Sequence, residues 1–297
     1  MSASKIAQPL VSIGLPVRNS ERQIAQTIDS VLAQTLGDFE LIVSDNASTD
    51  ATVAVAERYM QRDPRIRLLR QSVNRGVSAN WNAVARAARG RYFKWQAGND
   101  LMKPELLEEC VRVLEALPDV VLAYGRTRWM DTDGTPLDLC DEDFSVLEER
   151  PAQRFARVAR DMSINNQINA GVIRTAALRR TRLLGCYPTD DLVLMAELAL
   201  HGKVLLLPDE LFRRRTGADV STPNRSAMQI AVHHNPTATR PNRFLSWRRQ
   251  AGRYAACLRA PLPLNERLHA LAAATGLVFE AAQRRRDRAL SRLLLRQ

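Results

Sequence analysis

Two periods of apolar residues alternate along the first part of the chain. Short apolar runs at Leu10–Leu15, Phe39–Ser44 and Ile66–Leu69 have the length of buried strands, and Arg91–Gln96 is a fourth strand-like run. Between them apolar residues recur at helical spacing. Ser20 with Glu21 opens a predicted helix carrying Ile24, Ile28, Val31 and Leu32. Asp45–Asp50 is a loop, and Thr49 or Asp50 caps a helix that continues to around Met60. Asn74-Arg75-Gly76 is a turn, and Ser78 caps a helix bearing Trp81, Val84 and Ala88. After the fourth strand, Gly98-Asn99-Asp100 is a polar turn and Lys103-Pro104 opens a helix. Strand and helix alternate four times between Leu10 and Leu117, which predicts a mainly parallel sheet flanked by helices.

The pattern loosens beyond Leu117. Val120–Tyr124 reads as a strand, and Arg126–Leu139 as a hairpin turning at Asp133-Gly134. Glu148–Arg160 is a polar helix, Asn165–Ala170 a loop and Gly171–Arg174 a short strand. Thr189-Asp190-Asp191 precedes a helix, Leu192–Leu200, closed by Gly202. Val204–Leu207 is a strand, and Arg213-Arg214-Arg215 follows Glu210-Leu211-Phe212. Ala218–Arg243 contains Pro223, Pro236 and Pro241 with little periodicity, so it reads as a linker or lid. Phe244–Arg259 and Glu266–Leu295 are basic helices. In the second, Leu268, Leu271, Ala272, Thr275, Val278 and Phe279 form one apolar face, expected to pack on the main body. The expected division is a body over residues 1–221 and a linker with a basic helical extension over residues 222–297.

Composition narrows the classes. The chain has 297 residues, 45% hydrophobic and 25% charged, enough for one large α/β domain with an appendage or for two domains. No apolar run is long enough to cross a bilayer, and the start, Met1–Ile6, lacks a signal-peptide core, so a cytoplasmic chain is expected. Cys110, Cys140, Cys186 and Cys257 are scattered and form no Cys-x-x-Cys pair. That argues against a zinc site and for reduced thiols. The net charge of +11 is uneven: from Arg243 onward twelve arginines face three acids, a local excess of +9. Such a tail suits nucleic acid, anionic lipid or acidic partners. Its aromatics form no stacking motif, so no nucleic acid partner is expected, and a membrane surface is the alternative to packing on the body.

In an open α/β sheet, ligands bind past the carboxyl ends of the strands. Four segments converge there: Pro16–Asn19, Ser44–Asp50, Gly98–Asp100 and Thr189–Asp191. The Gly-x-Gly-x-x-Gly fingerprint is absent, which weighs against a dinucleotide-binding domain. The same residues also suit plain structure: Asp45-Asn46 an Asx-turn, Thr189-Asp190-Asp191 a helix cap, and Arg213–Arg215 a solvated basic face rather than a phosphate clamp.

Five stretches in order carry a family likeness. They are Val11–Asn19, Ser30–Thr35 with Phe39–Asp50, Asn74–Ser78, Ala88–Trp95, and Asp190-Asp191 ahead of Glu197–Gly202. Over Pro9–Ser221 the chain resembles the family-2 glycosyltransferases of the GT-A fold, a Rossmann-like α/β architecture. The resemblance implies transfer of a sugar from a nucleotide-sugar to an acceptor hydroxyl, on a glycan or lipid-linked acceptor, with inversion. It implies that Pro16, Arg18, Asn19, Asp45, Asn46, Arg75 and Gly98 border the nucleotide, Asp45 accepting from the base, and that Asp191 is the catalytic base. Gly98 and Asn99 fall where the family's Asp-x-Asp turn holds a divalent metal, Mn2+ or Mg2+. Inverting transfer also needs a carboxylate to take the acceptor proton and positive charge on the leaving diphosphate, here from a metal or from Arg214 and Arg215.

The chain departs from the pattern at the metal turn. Ala97-Gly98-Asn99-Asp100 has one acid, and a carboxamide is a weaker ligand for a hard cation than a carboxylate. The Arg-x-His often seen near the end of the matching region is Arg215-Thr216-Gly217 here. A metal held weakly through Asn99 and Asp100, or dispensed with, is the expectation. The rival reading is a nucleotide-sugar-binding member that has lost catalysis and acts as a scaffold.

Overall fold

The structure, a computed structural model, describes residues 8–140, 144–162, 166–217, 226–242 and 244–294, with side chains 166, 281–282, 284–285 and 287–294 outside the description. Arg243 and parts of the stretches Asp161–Asn169 and Ala218–Arg243 lie outside the described residues, as do the side chains of Arg284, Arg285 and Arg288.

The elements run β1 (Val11–Val17), α1 (Ile24–Leu32), β2 (Phe39–Asp45), α2 (Thr52–Arg62), β3 (Ile66–Arg70), α3 (Val77–Ala87) and β4 (Tyr92–Trp95). They continue with β5 (Leu101–Met102), α4 (Leu106–Ala116), β6 (Val120–Met130), β7 (Pro136–Leu139), α5 (Pro151–Asp161), a 3-10 turn (Asn166–Ala170), β8 (Val172–Arg174) and α6 (Thr175–Leu178). Then come α7 (Asp190–His201), β9 (Lys203–Arg215), α8 (Ala227–His234), α9 (Leu245–Arg259) and α10 (Leu264–Leu294). One sheet orders them β3-β2-β1-β4-β8-β6-β9-β5, with β7 paired to β6. The β3-β2-β1-β4 half is parallel, as the alternation predicts, and β8 joins it antiparallel on both sides. β1 and β2 are buried at every position because helices cover both sheet faces. One core layer holds Ile24 and Ile28 of α1, Val55 of α2 and Leu107 of α4. The other holds Val84 of α3, Phe155 of α5, Leu198 of α7, Ala256 of α9 and Ala274 of α10. The mainly parallel, helix-flanked α/β architecture stands. Among the described residues no helix is long and apolar enough to cross a membrane.

Several local expectations give way. The helix after Ser20 begins at Ile24, since Ser20 spends its carbonyl on Gln23 N and Ile24 N and its amide on Thr52 Oγ1. Ser78 sits inside the first turn of α3 and does not cap it: its hydroxyl faces His234 Nδ1 at 3.1 Å and bonds Asp190. α4 begins at Leu106, one turn after Lys103-Pro104: Lys103 N still pairs with Leu211 O beyond β5, and Lys103 O accepts from Leu106 N. Arg213–Arg215 does not follow a strand but ends one, the single long β9. The Ala218–Arg243 stretch contains a helix, α8, whose Ser226 and Gln229 form a reciprocal capping box. On α10 the buried residues are Ala270, Ala274 and Leu277, while Leu268 and Phe279 of the expected packing face are exposed.

α9 and α10 are tied to the sheet's helical layer. Glu197 of α7 is fully buried and pairs with Arg259 of α9, and Arg253 donates to Ala159 O at 2.8 Å. Arg150 and Arg160 of α5 pair with Glu266 and Glu280 of α10.

Candidate active site

Two cavities open at the carboxyl ends of β1, β2 and β4. The first, about 820 Å³, is lined by Pro16, Arg18, Asn19, Asn46, Asn80, Gly98 and Asn99 among others. The second, about 1000 Å³, is lined by Asn99, Asp100, Trp129, Asn169, Asp191 and Arg214 among others. Val77, Trp81, Ala97, Asn99 and His233 line both, so they mark the junction. Asn99 and His233 are its polar members.

The Ala97–Asp100 turn is built to be rigid. Gln96 Nε2 and Thr27 Oγ1 donate to Asp100 O at 2.8 and 3.2 Å, and Asp100 N closes on Ala97 O. A side chain at Gly98 would meet Val17 Cγ1 at 2.9 Å, so the turn can lie on β1 only with glycine there. Asp100 Oδ1 accepts from Arg215 N at 2.9 Å. Burial pushes the Asp100 carboxyl up to about 6, against the pull of Arg214 and Arg215. Arg215 is itself buried, and its guanidinium donates to Asn99 O, Asp131 O, Thr132 O and Gln26 Oε1. It braces the turn and, like Arg214, borders the second cavity. Arg214 remains at the cavity wall, stacked over Trp129 and donating to Gln167.

Asp191 lines the second cavity and accepts from Asn169 Nδ2 at 3.0 Å. Asn169 is held from behind. Lys94, fully buried, donates through Nζ to the next carbonyl, Ala170 O, at 2.7 Å, and to Trp95 O at 3.1 Å. Burial depresses the Lys94 ammonium to about 7. Asp190 borders the same cavity, but its carboxyl is bonded to Ser78 and to the amides of Tyr187 and Cys186, and burial lifts it to about 6. Thr189 stands at the start of α7 in the left-handed region without capping it, so the cap expected there is absent.

Asp45 and Arg75 line neither cavity. Asp45 is buried behind the first one. One oxygen accepts from Ser48 N at 3.2 Å, and the other, Oδ1, has no hydrogen-bond partner among the described residues. A buried carboxylate oxygen without a donor is costly unless a ligand supplies one. Arg75 is exposed, and its amide serves Asn46 Oδ1 at 2.8 Å. Sequence reading missed Asn80, Asn169 and His233. Asn80 bridges Ser44 and Val17 from inside α3, where an amide carries no visible signal. His233 arrives on α8, whose last carbonyl, His234 O, would lie 2.2 Å from a side chain placed on Gly76.

A divalent cation would find one carboxamide, Asn99, and one carboxylate, Asp100, already bonded to Arg215 N. No group of three or more His, Cys, Asp or Glu side chains gathers among the described residues. That donor set does not fit a metal held by the protein.

The family model for glycosyl transferase family 2 matches residues 12–181. Over 133 residues the chain is 30% identical to the chondroitin synthase of Escherichia coli, covering 45% of this chain but 19% of that one. Glycosyltransferase GlyG of Streptococcus pneumoniae is 25% identical over 72% of this chain and 73% of its own length. Among solved structures, S. aureus TarS 1-349 in complex with UDP superposes with a TM-score of 0.61 at 16% identity, over 89% of this chain and 70% of that one. The mannosyltransferase PcManGT of Pyrobaculum calidifontis, in complex with GDP-Man and Mn2+, gives 0.53 at 19% identity, over 94% and 81%.

Proposed function

The chain belongs to glycosyl transferase family 2, and we propose that it moves a sugar from a nucleotide-sugar to an acceptor hydroxyl, with inversion, in the synthesis of a cell-surface polysaccharide. The observation that carries this reading is the pair of cavities joined at Asn99 and His233, with Asp191 in the second. The nucleotide occupies the first, and the transferred sugar and acceptor share the second. The diphosphate then lies at the junction. Asp191, steadied by Asn169, takes the proton of the acceptor hydroxyl as its oxygen attacks the anomeric carbon. The bond from that carbon to the diphosphate oxygen breaks on the opposite side, and the electron pair leaves with the diphosphate. His233, Asn99 and Arg214 offer it hydrogen bonds and positive charge in place of a tightly held metal. Asp190 is excluded as the base because its carboxyl is committed to Ser78 and backbone amides.

The donor class follows the structural neighbour that holds UDP, and the polysaccharide context follows the chondroitin synthase relative. A scaffold that only binds nucleotide-sugar would have no use for the Asn169–Asp191 contact at the open wall. The test is release of nucleoside diphosphate from a panel of UDP- and GDP-sugars with glycan and lipid-linked acceptors. Asp191→Asn should cut transfer about 10²–10⁴-fold while leaving nucleotide affinity nearly unchanged. Turnover by the variant near the wild-type rate removes Asp191 from the role.

A further inference from the structure

The helical pair at the end of the chain is inside out. Its buried face is mostly small residues, Gly252, Ala256 and Cys257 on α9, Ala260 at its end, and Ala270 and Ala274 on α10, with Arg253 and Leu277 the larger members. Its large apolar side chains point to solvent, with Trp247 at 74%, Phe244 at 72%, Leu258 at 60%, Leu264 and Phe279 at 70% and Leu268 at 58% exposure. An ordinary surface helix does the reverse, because each large side chain kept in water forgoes a substantial hydrophobic gain.

These side chains form one surface. Trp247, Tyr254 and Leu258, at i, i+7 and i+11, share a face of α9. Leu264, Leu268, Thr275 and Phe279, at i, i+4, i+11 and i+15, share a face of α10. The two faces meet where Tyr254 Oη and Thr275 Oγ1 lie 3.0 Å apart, and Gln250 Nε2 holds the pair together on Ala274 O at 2.7 Å.

Charge selects the occupant. Glu266 and Glu280 of α10 are turned toward α5, where Arg150 and Arg160 pair with them. The third acid of the extension, Asp287, stands in sequence among Arg284, Arg285, Arg286 and Arg288. A second copy would bring an extension with a local excess of +9 against its own like, which a bilayer carrying anionic headgroups would not. We propose that the outer face of α9 and α10 seats this protein on an anionic membrane surface. Trp247, Phe279 and the leucines enter the interfacial layer and the arginines stay at headgroup level.

The test is flotation of the full-length protein with large vesicles of phosphatidylcholine alone and of phosphatidylcholine mixed with phosphatidylglycerol, in low and high salt. Wild type should float with the anionic vesicles at low salt and bind the neutral ones about tenfold less. Trp247→Ser with Phe279→Ser should lower anionic binding about tenfold. Both side chains are exposed, so its circular-dichroism melt should match the wild type, and Leu264→Ser with Leu268→Ser gives a second reading at the other end of the stripe. Failure of the wild type to bind anionic vesicles at low salt overturns the proposal. So does undiminished binding by both variants. A wild-type dimer in light scattering that either variant turns into a monomer also overturns it and gives the face to a second copy.

Discussion

The two cavities are made of different materials. The first is walled by loops sewn together with side-chain-to-backbone hydrogen bonds. Asn19 accepts from Thr49 N at 2.9 Å, Asn46 from Arg75 N at 2.8 Å and Asn74 from Gly76 N at 3.0 Å, while Asn80 donates to Ser44 O at 3.0 Å. The second is walled by Trp95, Trp129, Phe212, Leu194 and Met195, while Trp81 and α8 border both. Asparagine ties fix a backbone shape before any ligand arrives, which suits a constant ligand such as a nucleotide. An aromatic wall can be exchanged without disturbing the sheet, which suits a variable acceptor. The family match over residues 12–181 holds the loops of the first cavity and also Trp95, Trp129 and Asn169 of the second, and it stops ten residues short of Asp191.

The sharpest way to break the comparison is at Asp45. If the first cavity is pre-formed for a base, its unpartnered Oδ1 is the acceptor waiting for a donor. Asp45→Ala should then weaken nucleotide binding by about 1–3 kcal/mol, roughly 5- to 150-fold, with little change in melting temperature. Calorimetric titration with UDP reads this directly. Unchanged affinity would make Asp45 a turn residue and leave the recognition of the base to Asn46 and the backbone.

The junction comes next. Wild type is expected to keep most of its transfer activity in EDTA, because Asn99 and a committed Asp100 make a poor cation site. Asn99→Asp restores a hard anionic oxygen at the boundary of both cavities and should make activity rise several-fold across a Mn2+ series. A wild type that is dead in EDTA and rescued by micromolar Mn2+ would show that the diphosphate supplies enough ligands on its own.

The legibility of the sequence follows the same division. The parallel half could be read because each strand is a short apolar run and each helix has its own period, so local signals coincide with the fold. Pro16, Arg18, Asn19, Asn46 and Gly98 line the first cavity because strand ends are where such a sheet puts ligands. The second cavity was less legible. Asn169 meets Asp191 across 22 residues of chain and His233 reaches the junction on a helix masked by prolines. The inward face of α10 is written in alanines, which carry little amphipathic signal. Arg214 and Arg215 are neighbours in sequence and both border the second cavity, yet alternation along β9 stacks one on Trp129 and ties the other to the Asn99 turn.

The smallest expected effect tests what joins the halves. Lys94 lies on β4 of the parallel half, yet its Nζ holds Ala170, the residue after Asn169. Its pKa is about 7 in the folded protein against an ordinary 10.5, so the folded state binds this proton less tightly than the unfolded chain. Below about pH 7 both states are charged and the folded protein carries the full cost of the buried ammonium. Between about 7 and 10.5 the folded state holds a neutral amine while the unfolded chain stays protonated, so stability rises with pH across that window. Lys94→Met removes the titration. It also leaves the Trp95 and Ala170 carbonyls without their donor, at a cost of about 1–3 kcal/mol that does not depend on pH. The expected outcome is that the melting temperature of the variant, relative to wild type, falls by several degrees between pH 7 and pH 10. Because Asn169 loses its support, transfer should also slow, by less than about tenfold, with nucleotide affinity unchanged. Parallel melting curves for the two proteins across the window would mean that Lys94 keeps its charge inside the fold, and Asp100 beside it would then be its counter-ion.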